Sequence, residues 1–153
     1  MPFSKLYLRL LHGVHLVARP MTLGVRAALF DTEGRVFLVR HTYVQGWYMP
    51  GGGVDAGEAA ADALRRELSE EGNIELLADP DLAGVYFNRN ASKRDHVLLY
   101  RCGAFRQTAP KQSDSEIAET GFFAPDALPE STTAATRRRL DELAGRAKPD
   151  LHW

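Results

Sequence analysis

The spacing of apolar and polar positions changes several times along this chain, and each change marks an element. Residues 5–18 are apolar at helical spacing, with Phe3, Tyr7, Leu10, Leu11 and Val14 on one stripe. Ser4 stands where a cap belongs, and Arg19-Pro20 closes the segment. Residues 23–30 form a β-rich run ending at the turn Asp31-Thr32-Glu33-Gly34. Residues 35–41 return as a strand, with Val36, Leu38 and Arg40 on one face and Phe37 and Val39 on the other. A loop carrying Tyr43 and Trp47 passes through Met49-Pro50 into three glycines. Helical spacing resumes over residues 59–71, with Ala61, Leu64 and Leu68 as the buried stripe. Residues 82–88 and 97–105 read as strands joined by a polar loop, and residues 121–123 as a short strand. Ser131 or Thr132 can cap a closing helix that runs to about residue 144. The order β-β-loop-α-β-β-α excludes a repeating βαβ barrel and predicts an α/β fold with a mixed sheet.

At 153 residues, 44% hydrophobic and 25% charged, the chain suits one folded domain. The expected division is an accessory helix over 1–19, a main domain over 20–147 and a tail over 148–153. The helix is expected to pack on the domain or on a partner subunit, which makes a homodimer an expectation too. A net charge of −1 supplies no global basic field for a nucleic-acid polymer or a membrane, although a local arginine cluster can still bind phosphate. Arg9, His12, His15 and Arg19 interrupt the apolar N-terminal segment, and no run approaches the roughly 20 apolar residues of a membrane span. The single Cys102 cannot form an internal disulfide, in keeping with a reducing cytoplasm.

The chemistry concentrates at Glu67, Glu70 and Glu71. Spacings of three and four put the carboxylates on one side of the helix, where like charges cost roughly 0.2–0.5 kcal/mol per pair. Selection for stability alone would interleave lysines. Hard oxygen donors converging just after Gly51-Gly52-Gly53 point instead to Mg²⁺, or Mn²⁺, holding a phosphate-bearing substrate. The glycines let the backbone approach a ligand closely. Glu58 falls near the helix N-terminus, where the dipole favours a carboxylate. Arg66, with Asp62 four residues before and Glu70 four after, reads as an orienting ion pair.

Residues 52–74 also resemble the signature box of the Nudix hydrolases. Gly52 is its glycine, Glu58 its first Glu, Arg66-Glu67-Leu68-Ser69-Glu70-Glu71 its central run and Ile74 its closing aliphatic. The last box glycine is replaced by Asn73, the non-glycine residue that best tolerates positive φ at a helix stop. The resemblance implies a Nudix-type α/β/α sandwich with a curved mixed β-sheet, and metal-dependent attack of water on a diphosphate. It assigns metal binding and catalysis to Glu67, Glu70 and Glu71, with Gly51, Gly52, Gly53, Glu58 and Arg66 in support. The general base can come from the box or from a later loop, so Glu67, Glu116 and Glu119 are candidates, with Glu116 favoured. Expected substrate contacts are Arg26, Arg40, Tyr43, Trp47, Asn88, Arg89, Arg94 and His96. The expected substrate is a nucleoside diphosphate linked to another moiety. The alternatives are a (d)NTP pyrophosphatase of the house-cleaning type and a non-catalytic nucleotide sensor.

Overall fold

Alternation along the strands sorts the side chains into two cores with a sheet layer between them. The computed structural model describes residues 5–153. A first helix, α1 (Lys5–Ala18), precedes β1 (Thr22–Leu29) and β2 (Val36–His41). Between these strands the Asp31 carboxylate accepts from the backbone N–H groups of Glu33 and Arg35 and fixes the turn. Then come α2 (Ala60–Gly72), β3 (Ile74–Leu76), β4 (Asp81–Phe87), β5 (Asp95–Cys102), β6 (Phe105–Gln107), β7 (Ile117–Phe123) and α3 (Ala134–Leu143).

β1 runs parallel to β5 and β5 antiparallel to β4, so this sheet is mixed; β2–β7 and β3–β6 are antiparallel pairs. Val25, Ala27, Leu29, Phe37 and Val39 pack on Ala63, Leu64 and Leu68 of α2. The opposite core gathers Ala28, Val36, Leu38, Tyr86 and Leu99 around Leu140 of α3. The expected α/β/α layering follows, with α2 pressed against one face by its apolar stripe.

Several local expectations change. The buried stripe of α2 uses Ala63, while Ala61 is only partly covered. Thr133 caps α3, its side chain accepting from Thr136 N–H, so neither Ser131 nor Thr132 is the cap. β7 starts four residues earlier than its apolar end suggests, because β2 supplies pairing partners as far as Ile117. β3 and β6, three residues each, are too short to leave a periodic signal. Residues 148–153 fold back on β4: Phe87 N–H donates to Leu151 O at 2.8 Å, and Trp153 N–H to Phe87 O at 3.1 Å. The N-terminal helix forms over the expected span, while Ser4 and Phe3 lie outside the described residues.

Candidate active site

Packing of α2 decides which of its carboxylates looks inward. Leu64 and Leu68 anchor the helix, and Asn73 stops it at φ 53° with its N–H on Leu68 and Ser69 carbonyls, as the replaced glycine predicts. Glu71 is thereby turned into the protein with a side chain only 4% exposed. It accepts from Gly51 N–H at 2.8 Å. Burial pushes its carboxyl up to about 7, against the opposing pull of that N–H and of the Arg26 charge. Glu67 is 13% exposed, and burial raises its pKa despite Arg66 at 2.7 Å. Glu70 stands at the rim, 61% exposed and 3.6 Å from Arg66.

The glycine loop is shaped for these contacts. Gly51 has φ +143°, and a Cβ there would run into the Val25 carbonyl. At Gly52 the obstacle would be the Glu67 carboxylate itself, which a Cβ would force to move. Gly53 stands open, its carbonyl held by Arg66 at 3.0 Å. Positive φ is thus confined to Gly51 within the triplet.

Arg66 ties loop to helix; of the two partners its spacing suggests, Glu70 lies within ion-pair reach at 3.6 Å and Asp62 does not take part. Its Nε and one terminal nitrogen donate to the two Glu58 oxygens at 3.0 and 3.1 Å, and the other terminal nitrogen donates to Glu67. Asp62 instead faces Arg65 at 3.5 Å. A planar fork serving three acceptors is something lysine cannot reproduce. Arg66→Lys is therefore expected to lower turnover about 10- to 100-fold, the usual cost of losing an orienting partner. Steady-state kinetics on the two purified proteins would measure it.

Glu116 arrives from the far strand pair. The Asp114 carboxylate accepts from the N–H groups of Glu116 and Ile117 at 2.9 and 2.7 Å, and Thr42 N–H holds the Glu116 carbonyl at 2.9 Å. Its side chain is exposed, and its charge is felt by both Glu67 and Glu71. Ligand atoms of His41, Glu71 and Glu116 all lie within 4.8 Å of one another.

His41 is the residue the sequence reading missed. The β2–β7 register shifts between Arg40 and His41, and such an irregularity re-aims a side chain. The ring is buried, with Nε2 3.5 Å from Glu71 Oε1 and no partner for Nδ1 among the described residues. Burial lowers its pKa and keeps the imidazole neutral, the form that ligates metals. A histidine ending the Phe37/Val39 face was the available signal.

A cleft of about 390 Å³ opens beside this cluster, lined by Arg40, His41, Tyr43, Gln45, Gly46 and Ser131 among others. Tyr43 is exposed, its ring 5.1 Å from His41. Arg40 lines the cleft while donating twice to Glu119, at 2.9 and 3.3 Å. Arg26 donates to Met49 O at 2.9 Å, and its charge reaches both Glu71 and His41.

Trp47 does not take part. It is buried edge-on against Phe123, with ring centroids 4.9 Å apart, and belongs to the core. Asn88, Arg89, Arg94 and His96 sit at or beside the β4–β5 turn, and none lines the cleft. Asn88 donates to Asp95 at 2.8 Å and His96 packs on Phe87, so both carry structural duties; Arg89 and Arg94 are exposed. Cys102 is buried, and its thiol is pushed up to about 12 by that burial, which leaves no reactive thiolate.

A family model described as the NUDIX domain matches residues 20–143. The chain belongs to the Nudix hydrolase family. It is 33% identical over 101 residues to the 8-oxo-dGDP phosphatase NUDT18 of Mus musculus, covering 65% of this chain and 30% of that protein. It is 43% identical over 61 residues to the RNA pyrophosphohydrolase of Bartonella bacilliformis, covering 34% of this chain and 36% of that one. The chain therefore spans about a third of the length of these curated relatives. Among solved structures, the MutT NUDIX hydrolase from Burkholderia pseudomallei aligns with a TM-score of 0.69 at 29% identity, over 80% of this chain and 97% of that one.

Proposed function

We propose that this Nudix protein is a metal-dependent pyrophosphohydrolase that opens the diphosphate bond of a nucleotide by attack of water on phosphorus. The observation that carries it is the convergence of Glu67, Glu71, Glu116 and buried His41 at the edge of a cleft whose volume suits a small ligand. The donor set fits a divalent cation. His41 is buried, neutral and, among the described residues, without a partner on Nδ1, and Glu71 lies where its charge goes largely uncompensated. Carboxylate oxygens suit Mg²⁺ or Mn²⁺. Glu71, Glu116 and His41 would hold the ion, with Glu70 and Glu67 completing the acidic rim. Once bound, it supplies charge neutralisation and orientation of the phosphate oxygens.

Glu67 is the proton acceptor we favour. Burial makes it more basic than an exposed carboxylate, and Arg66 fixes its orientation above Gly52. As water forms its bond to phosphorus, Glu67 takes the proton. The bridging P–O bond breaks, and the leaving phosphate keeps the electron pair. Glu116, favoured as base on sequence, serves better as a ligand beside Glu71. Arg26 and Arg40 provide cations for the phosphates, and exposed Tyr43 a surface for the base or sugar.

The substrate class proposed is a nucleoside diphosphate linked to another moiety. A second reading, removal of damaged nucleoside di- or triphosphates, draws support from the name of the mouse relative, an 8-oxo-dGDP phosphatase. A hydrolysis screen with Mg²⁺ or Mn²⁺ over nucleotide sugars, dinucleoside polyphosphates, (d)NTPs and 8-oxo-dGDP separates them by product mass. Nucleoside monophosphate plus a phosphorylated moiety supports the first reading. Nucleoside monophosphate with phosphate or pyrophosphate supports the second. Chelation by EDTA is expected to abolish either. Nucleotide binding without turnover of any substrate would overturn both and leave a sensor.

A further inference from the structure

We propose that α1 is an interfacial helix that docks this protein on an anionic lipid surface. Packing on the domain or on a partner subunit is the expectation for α1, and among the described residues no helix or strand packs extensively against it. Leu10, Val14, Leu16 and Val17 are each more than half exposed. Leu10, Gly13, Val14, Val17 and Ala18 line one open apolar groove, with Arg9 at its margin. On the other side His12, His15 and Arg19 surround Leu16 and Met21. The helix thus has an apolar face and a face whose charged groups are all basic, the pattern of a helix lying in a membrane interface.

Charge chooses the occupant. The first acidic residue of the chain is Asp31, so residues 1–21 carry +3 from Lys5, Arg9 and Arg19. The whole chain carries −1, which leaves −4 for the remainder. Pairing two copies of α1 through the apolar face would leave both basic faces without a partner, whereas an anionic leaflet complements the apolar and the basic face at once. Length agrees: 14 residues span about 21 Å, short of the ~30 Å hydrocarbon layer. No described helix is long and apolar enough to cross a membrane. A helix this short, with Gly13 near its middle, is marginal in water without a partner, and a lipid surface supplies one.

Co-sedimentation of the full chain with vesicles tests this. Phosphatidylcholine vesicles containing about 30 mol % phosphatidylglycerol are expected to bind it at least ~10-fold better than pure phosphatidylcholine, and less well as salt rises. Val14→Glu with Val17→Glu removes the apolar contact and is expected to reduce binding to background. Arg9→Gln with Arg19→Gln keeps the apolar face and is expected to weaken binding about 25-fold, at roughly fivefold per cation. Melting curves superposable on the wild type confirm that the domain is intact in both. Failure to bind either vesicle, or equal binding to both, overturns the proposal. So does a wild-type dimer without lipid that Val14→Glu with Val17→Glu converts to monomer, which would assign the face to a second copy.

Discussion

Glu71→Gln is expected to be catalytically inert yet, in the absence of metal, more heat-stable than the wild type above pH 7. The two effects have one cause. Glu71 is almost fully enclosed, and its only described hydrogen bond comes from Gly51 N–H. A glutamine oxygen can keep that bond, while the charge that would hold a cation is gone, so turnover should fall on the order of a thousandfold. Stability moves the other way. In the unfolded chain Glu71 ionises near the ordinary value of 4.5, and in the folded metal-free protein near 7. Below pH 4.5 both states hold the proton and burial costs nothing. Between 4.5 and 7 the unfolded state loses its proton first, so wild-type stability falls as pH rises, the loss reaching about 3 kcal/mol above pH 7. A rearranged variant would differ from wild type by the same amount at every pH, so the test is the pH series. The melting-temperature gap between Glu71→Gln and wild type should be near zero at pH 4.5 and grow to pH 8, and added Mn²⁺ should close it by stabilising the wild type alone. A variant less stable than wild type at every pH would mean that Glu71 is a structural carboxylate.

Much of this site is legible in the sequence because its chemistry demands fixed spacing on one helix. Glu67, Glu70 and Glu71 need only the helical period to be placed together, and Asn73 announces the stop by its tolerance of positive φ. Strand alternation likewise puts Phe37 and Val39 on one face and Val36 and Leu38 on the other, and the structure packs the first pair on α2 and the second on α3. What escapes depends on contacts between distant segments. His41 reaches Glu71 through a register shift that only the pairing of β2 with β7 creates. Glu119 reads as part of an acidic loop, yet it lies on a strand opposite Arg40. Arg66 adds Glu58, across the loop, to its helical partners Glu67 and Glu70, and it is the loop carboxylate that meets the guanidinium fork with both oxygens. Trp47, adjacent to the glycine loop in sequence, is pulled inward by Phe123. The same limit hides the best-buried charge in the protein: in Arg137-Arg138-Arg139 three cations look alike, and one of them is wholly enclosed.

That cation, Arg139, underlies the second large effect: Glu142→Ala is expected to destabilise the fold by about 3–5 kcal/mol. Arg139 and Glu142 are 0% and 5% exposed and meet at 2.6 Å. Glu142 also accepts from the Tyr86 hydroxyl at 2.9 Å and from Asp150 N–H at 3.1 Å. Arg139 donates to His152 O at 2.7 Å and stacks over Tyr86, 4.2 Å from its centroid. Deleting the carboxylate leaves an uncompensated buried guanidinium and an unpaired Tyr86 hydroxyl, and it releases the turn that folds residues 148–153 against β4. At about 2–4 °C per kcal/mol for a domain of this size, the midpoint of thermal unfolding should drop by roughly 10 °C. The pair itself is a different matter, because two desolvated charges attract each other at the expense of their hydration. Arg139→Met combined with Glu142→Leu removes both charges, and it should recover much of the loss. Recovery would show that the cost of the single variant is the stranded charge. Equal damage in the double variant would instead locate the stabilisation in the bonds these side chains make to the tail, since Met and Leu fill the space but cannot hold Asp150 or His152.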